Sequence, residues 1–149
     1  MYLLDTHVVS ELRKVQAGRA DANVAAWVAT VDAADLFVSA ITLLELEIGV
    51  LSIERKDTAQ GQMLRDWLEQ QVLPEFATRV LPVDTAVARR CARLHVPDKR
   101  AERDALIAAT ALVHGMTLVT RNQVDFQPTG VPVLNPWLAG SAEPDGGRA

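Results

Sequence analysis

The sequence predicts an α/β fold with a mainly parallel sheet, on three observations. Short apolar runs from Tyr2 to Asp5, Leu36 to Ala40 and Met116 to Thr120 read as strands buried on both faces, the pattern of a parallel sheet. Longer segments with helical spacing alternate with them. The runs also end alike, in an acid or a hydroxyl: Asp5 with Thr6, then Ser39, then Thr120. Open α/β sheets bind ligands outside the carboxyl ends of their strands, so these terminal residues face the expected site.

Taken in order, the first run passes directly into a helix carrying Val8, Val9 and Leu12. Asp5 at that junction is either a helix cap or a site acid, since both uses suit a carboxylate there. Residues 18 to 22 form a loop, and Asn23 is expected to cap an alanine-rich helix through Val24, Trp27 and Val31. The second strand feeds a long helix from about Ile41 to Arg55, with Ser39 or Thr42 as its cap. Ile41, Leu43, Leu44, Leu46, Ile48, Val50, Leu51 and Ile53 surround that helix almost completely, which predicts a mostly buried element. The next helix, from Thr58 or Ala59 to Val72, aligns Met63, Leu64, Trp67 and Leu68 as a stripe of core or dimer surface, and Pro74 is expected to end it.

Arg79 to Val83 reads as a short strand, and Asp84 as a plain cap for a helix from Ala86 to Leu94. A turn from Val96 to Arg100 leads to a helix of small and apolar residues with Asp104 in its first turn and Gly115 as its stop. The strand Met116 to Thr120 follows, and Val131 to Leu134 is a last strand.

Length and composition bound the organisation. A chain of 149 residues is long enough for one domain with its own core, and no linker or internal repeat divides it. The domain is expected over residues 1–137, with 138–149 as a flexible tail. Hydrophobic residues at 49% and charged ones at 23% exclude disorder for the bulk of the chain. Cys91, the only cysteine, excludes an internal disulfide and a thiolate zinc cluster, and its apolar spacing suits a buried small side chain. Early acids rule out a signal-peptide core and no run reaches membrane length, so the cytoplasm is the expected location.

The net charge of −4 argues against a dedicated nucleic-acid binder, yet the charge is unevenly spread. From Arg89 to Arg103 six basic residues face two acids, which makes Arg93, Lys99, Arg100 and Arg103 candidates for phosphate contact as well as for a solvated surface. Glu45 and Glu47 interrupt the long apolar helix, and periodicity does not choose between them, because both have apolar flanks at 100° steps. A carboxylate kept ionised there needs a cation, a metal or several donors. The last strand-to-loop junction supplies Thr120, Asn122 and Asp125. His7, His95 and His114 are scattered without zinc-like spacing.

Four segments carry a resemblance. Leu3-Leu-Asp5-Thr-x-Val-Val-Ser-Glu11, Ser39-Ala-Ile-Thr-Leu-Leu-Glu45-Leu-x-x-Gly49, Asp104-x-x-Ile-Ala-Ala-Thr-Ala and Leu118-Val-Thr-Arg-Asn122-x-x-Asp125-Phe resemble, in order, the motifs of PIN-domain ribonucleases. Within that family the chain is most similar to VapC-type toxins of bacterial toxin-antitoxin pairs, in the FitB-like branch; Leu73-Pro-Glu-Phe-Ala-x-Arg79-Val-Leu-Pro and Asn135-Pro-Trp point the same way. The resemblance implies a three-layer fold with a parallel sheet of about five strands between helices, and acids meeting at its carboxyl edge. It selects Glu45 over Glu47. It implies a homodimer and a co-encoded antitoxin, assembling as a heterotetramer or larger, whose peptide lies across the active groove. Two positions depart from the pattern: His7 stands where Asn is common, and Asn122 where many relatives carry a fourth acid.

The chemistry follows from the acids themselves. Asp5, Glu45 and Asp104 brought together repel one another and raise their own pKa values. A divalent cation relieves this, and carboxylate oxygens with waters suit Mg2+, with Mn2+ as a substitute. The expected reaction is metal-dependent endonucleolytic hydrolysis of RNA, with Asp5, Asp104 and Glu45 as ligands and Asn122 or Asp125 completing the site. Thr6 and Thr120 are expected to hold carboxylates in orientation by hydroxyl hydrogen bonds. A haloacid-dehalogenase-like phosphatase would need a second acid where His7 stands. A housekeeping nuclease, or a catalytically weak binding module on the same fold, remains a rival.

Overall fold

The computed structural model describes residues 1–140. The buried run β1 (Tyr2–Leu4) leads into α1 (Thr6–Gln16), and α2 (Ala22–Val28) follows a turn. A 3-10 turn (Ala33–Asp35) precedes β2 (Leu36–Ser39), which feeds α3 (Ala40–Lys56). The next helical stretch is α4 (Thr58–Trp67), a π-helical turn (Leu68–Val72) and α5 (Leu73–Glu75). Then come β3 (Val80–Leu81), α6 (Thr85–Leu94), α7 (Glu102–His114), β4 (Thr117–Val119), α8 (Gln123–Phe126), a 3-10 turn (Gln127–Thr129) and β5 (Val133–Leu134).

The five strands form one parallel sheet in the order β3-β2-β1-β4-β5, with β1 at its centre. The order doubles back at β1, because β2 and β3 lie to one side and β4 and β5 to the other. That reversal opens a crevice at the carboxyl end of β1. One face of the sheet is covered by a core of Val8, Val9, Trp27, Leu46, Val50, Leu68 and Phe76. The other is covered by Val87, Cys91, Leu94, Ile107, Phe126 and the alanines of α7. Leu3, Leu4, Leu118 and Val119 are fully buried between the layers, each worth about 1.5–3 kcal/mol of apolar burial. No helix among the described residues is long and apolar enough to cross a membrane.

Several expectations need correction, each for a physical reason. Asp21 caps α2, not Asn23: its carboxylate accepts from the Asn23 and Val24 amides, which places Asn23 inside the helix. The Asn23 side chain instead donates to the Trp137 carbonyl at 2.7 Å, and α2 stops at Val28, short of Val31. Pro74 does not end the helical stretch; it opens the short α5 turn after the π-turn, where a missing amide hydrogen is tolerated. The strand expected from Arg79 narrows to Val80–Leu81, and Arg79 spends its guanidinium on the carbonyls of Ala33 and Leu36. The tail expected over 138–149 begins inside a described turn, where Leu138 donates to the Asn135 carbonyl; residues 141–149 lie outside the described residues.

The largest correction concerns α3, which is not mostly buried. Thr42, Leu46 and Val50 face the core, whereas Leu44, Ile48 and Leu51 are 46%, 40% and 51% exposed. Met63 on α4 is 68% exposed and so leaves the stripe in which Leu64, Trp67 and Leu68 contact the core. Several apolar side chains are thus left uncovered among the described residues.

α3 and α4 form a tight hairpin. An added Cβ on Gly61 would lie 2.6 Å from Glu54 Cα and 3.0 Å from its amide nitrogen, whereas one on Gly49 meets open space. Arg65 clamps the same hairpin, pairing with Glu47 at 2.6 Å and with Glu54 at 3.0 Å. In chemical denaturation, Gly61→Ala should destabilise the fold by about 1–3 kcal/mol through overpacking, despite the better helix propensity of Ala. Gly49→Ala should instead stabilise it by roughly 0.5–1 kcal/mol.

Candidate active site

The sheet register decides which residues meet. Leu4 pairs with Val119, and the ladder continues one residue beyond the strand through Asp5 N–H donating to the Val119 carbonyl at 2.9 Å. Asp5 therefore sits opposite Thr120. On the other side Leu3 pairs with Phe37, so Asp5 falls level with Ser39, the residue that caps α3 by accepting from Ile41 N–H at 3.0 Å. Glu45 lies in the second turn of α3, one turn above Thr42 on the same face.

Asp5 is buried and both of its oxygens are held. Oδ1 accepts from Thr6 N–H at 2.8 Å, so the residue caps α1. Oδ2 accepts from Thr120 Oγ1, also at 2.8 Å, and Thr120 Oγ1 in turn accepts from Asn122 N–H at 3.0 Å. The capping use and the site position are one geometry. Thr6 Oγ1 donates to Glu45 Oε1 at 2.5 Å and lies 3.4 Å from Thr42 Oγ1. Having a single proton, the Thr6 hydroxyl gives it to the shorter, charged acceptor. The second Glu45 oxygen stands 3.6 Å from the Arg103 guanidinium.

Glu47 points the other way, into the Arg65 clamp between α3 and α4. The choice that periodicity left open is thus made by packing: α3 turns Glu45 toward Thr6 and Glu47 toward α4.

Asp104 enters from the first turn of α7, which the buried residues Ala105, Ile107, Ala108 and Ala109 fix against the sheet. Burial raises its pKa most, and the charges of Asp5, Asp125 and Glu45 raise it further, with His7 acting in the opposite sense. Burial also raises the Asp5 carboxyl, against hydrogen bonds from Thr120 and Thr6 that lower it. Asp104 therefore senses Asp5, Glu45 and Asp125 at one crevice, and Asp5 senses Glu45. They do not close on it: among the described residues no three acid, imidazole or thiol side chains form a ready ion cage. Glu45 is engaged instead by Thr6 and Arg103. The donor set still fits a hard divalent cation, since it offers carboxylate oxygens whose repulsion is unrelieved.

The two candidates at the end of β4 differ. Asn122 caps the short α8 without a side-chain capping bond and is exposed. Asp125 is exposed one turn on, and its charge reaches Asp104. The basic cluster divides. Arg103 reaches the groove, and Arg100 donates to the Leu94 carbonyl at 3.2 Å. Lys99 is exposed in the turn, and Arg93 joins Arg89 and Arg90 round a shallow depression of 240 Å3 against Val113. Cys91 is buried, as its spacing implied.

Sequence reasoning missed two neighbours of the acids. His7 follows Asp5 by two residues and bears on both Asp5 and Asp104; its departure from the usual Asn was the available signal. Thr42 stands beside the Thr6 hydroxyl, and its place three residues before Glu45 on one helix face was legible.

Residues 2–129 match the model of the PIN domain family. A VapC ribonuclease of Sinorhizobium fredii is 37% identical, over 92% of this chain and 98% of its own length. Toxin FitB of Neisseria gonorrhoeae is 38% identical, over 92% and 99%, and the crystal structure of FitAcB from the same organism superposes with a TM-score of 0.82 at 37% identity, covering 92% of this chain and 99% of that one. A toxin-antitoxin complex from Klebsiella pneumoniae contains a chain with a TM-score of 0.65 at 26% identity, covering 91% and 98%.

Raised carboxyl pKa values carry a stability consequence whose sign is fixed. The folded chain binds these protons more tightly than the unfolded chain, so their contribution is complete below the ordinary value of 3.8 and is lost as pH rises through the raised folded value. The helix dipole favours Asp104 by only about 0.3–1 kcal/mol, and its raised pKa means that burial and repulsion prevail. Without divalent cations, Asp104→Asn should raise Tm at pH 7 by a few degrees, and the gain should fade as the pH drops toward 3.8. Thermal melts across that pH range check it.

Proposed function

The chain belongs to the PIN domain family, and from that premise we propose that it is a Mg2+-dependent endoribonuclease acting as the toxin of a toxin-antitoxin pair. The observation that carries the reading is the placing of Asp5, Glu45, Asp104 and Asp125 at the carboxyl edge of the sheet, where burial first, and then the charges of the other three, raise the Asp104 carboxyl. Such a cluster is costly without a counter-charge and is suited to a metal-dependent phosphodiester hydrolase.

On this reading Asp5 and Asp104 hold the cation, Glu45 joins them, and Asn122 or Asp125 completes the site. When bound, Mg2+ supplies positive charge against the scissile phosphate and lowers the pKa of a water. Mn2+, with the same liking for oxygen donors, substitutes for it. The residues themselves set the geometry. Thr120 and the Thr6 amide fix the plane of the Asp5 carboxylate before the reaction, and the Thr6 hydroxyl anchors one oxygen of Glu45 while the other is left to adjust. Hydrolysis adds water across a phosphorus–oxygen bond of RNA and leaves a 5′-phosphate and a 3′-hydroxyl.

An antitoxin partner is supported by the relative named a toxin and by the toxin-antitoxin complex of similar fold. A partner arginine entering the acid groove would pair with carboxylates in the fork geometry and displace the cation. A groove of 560 Å3 along α1, lined by Val9, Leu12, Val28, Trp67 and Phe76, offers that partner an apolar anchor. The exposed Leu44, Ile48 and Leu51 of α3 suit a homodimer contact. The site of action is the cytoplasm. One feature favours the rival of a catalytically weak binding module, the neutral Asn122 at a position where the family resemblance implies an acid in many members. The Asp125 charge at Asp104 counters it.

Cleavage of a structured RNA in Mg2+ tests the proposal. Asp5→Asn and Asp104→Asn should abolish cleavage in folded protein, Glu45→Gln should reduce kcat by about 100-fold or more, and Glu47→Gln should leave it within about threefold. Cleavage undiminished in excess EDTA would rule out the metal. A second comparison settles the fourth position: if Asp125→Ala only raises the Mg2+ needed for half-maximal rate, Asp125 acts through water. If it is as inactive as Asp104→Asn while Asn122→Ala is indifferent, Asp125 is the fourth acid.

A further inference from the structure

Arg103 is the one cation ion-paired to the acid groove among the described residues. Its place has no structural explanation. It stands in the first turn of α7, where the helix dipole disfavours a cation, and its bond to Glu45 is long at 3.6 Å. The Arg103 side chain is 52% exposed, and an ion pair that open contributes little to stability. The guanidinium makes no other ion pair or hydrogen bond among the described residues, so its five donors have no protein acceptor there at hydrogen-bond distance. Glu45, by contrast, is only 25% exposed and already holds Thr6 through its other oxygen.

We propose that Arg103 is a substrate-positioning residue, held at the groove by Glu45 until a non-bridging phosphate oxygen of the RNA takes its place. This rests on the ribonuclease reading above. The exchange follows from the donor count. Glu45 offers Arg103 one oxygen at a distance too long for a hydrogen bond, whereas a phosphate accepts two parallel N–H bonds from the guanidinium fork. The same exchange frees a Glu45 oxygen to turn toward Asp5 and Asp104. Arrival of the substrate and completion of the acid cluster are thereby coupled through one side chain. A phosphate in the groove also places negative charge near the start of α7, where the helix dipole favours it.

The test is steady-state cleavage of a structured RNA by the full chain in Mg2+ at several KCl concentrations, with calorimetric titration of Mn2+ in the absence of RNA. Arg103→Ala should raise KM roughly tenfold, more than it lowers kcat, and should flatten the salt dependence of kcat/KM by about one in log–log slope. Arg103→Lys should restore the slope and only part of the KM, since it keeps the charge and loses the fork. Mn2+ affinity should be unchanged or tighter in Arg103→Ala, because Glu45 has lost a competing cation. An unaltered KM or salt slope overturns the proposal, and so does weakened Mn2+ binding, which would make Arg103 a scaffold for the acids. If the unsubstituted chain cleaves no RNA while folding normally, the ribonuclease reading fails and this inference falls with it.

Discussion

Carboxylates crowded at the edge of a parallel sheet impose the constraint on which the rest of this structure depends. Asp5 is buried and Asp104 is half-buried; lost solvation pushes each toward its neutral form, and the charges of Asp5, Asp125 and Glu45 push Asp104 further. The fold does little to neutralise them internally. The charge-assisted pairs are placed elsewhere, at Arg65 on the α3–α4 hairpin and at Arg79 beside Glu75. The groove receives hydroxyls and amides that orient carboxylates, and a single loosely held arginine. Net acidity there is a stored cost, and a counter-charge from outside relieves it.

The scaffold accounts for how such a cost is tolerated. β1 lies at the centre of the sheet with a neighbour on each side, and Asp5 is fixed by the continuation of the β4 ladder together with the bonds to its own carboxylate. α7 is rooted by a row of alanines that let it approach the sheet closely, which holds Asp104 at the groove although its own environment disfavours it. α3 brings Glu45 from the third direction. Rigid elements thus hold the acids nearby without closing them, and the remaining adjustment is left to side chains such as Glu45.

Much of this was legible in the sequence. The alternation of apolar strands and helices pointed to the fold class, and the acid and hydroxyls at the ends of β1, β2 and β4 pointed to the edge where Asp5, Ser39 and Thr120 lie level, because both depend on local pattern. What local pattern left open was settled by tertiary contacts. Glu45 and Glu47 have equivalent apolar flanks, and only the packing of α4, with Arg65 waiting for Glu47, separates them. The exposed Leu44, Ile48 and Leu51 read as core because periodicity counts apolar residues and not the surfaces available to cover them. Asn23 and Asp21 are both good caps, and the carboxylate two residues earlier satisfies two amides at once. The approach of Arg103 to Glu45 joins residues 58 positions apart, beyond any helical or strand spacing.

The central claim is that the groove is completed by a divalent cation held on Asp5 and Asp104. Anomalous diffraction from crystals soaked in Mn2+ tests it most directly. The account predicts a peak within bonding distance of carboxylate oxygens from both residues. A groove without a peak at millimolar Mn2+, or a peak ligated by neither aspartate, would contradict it.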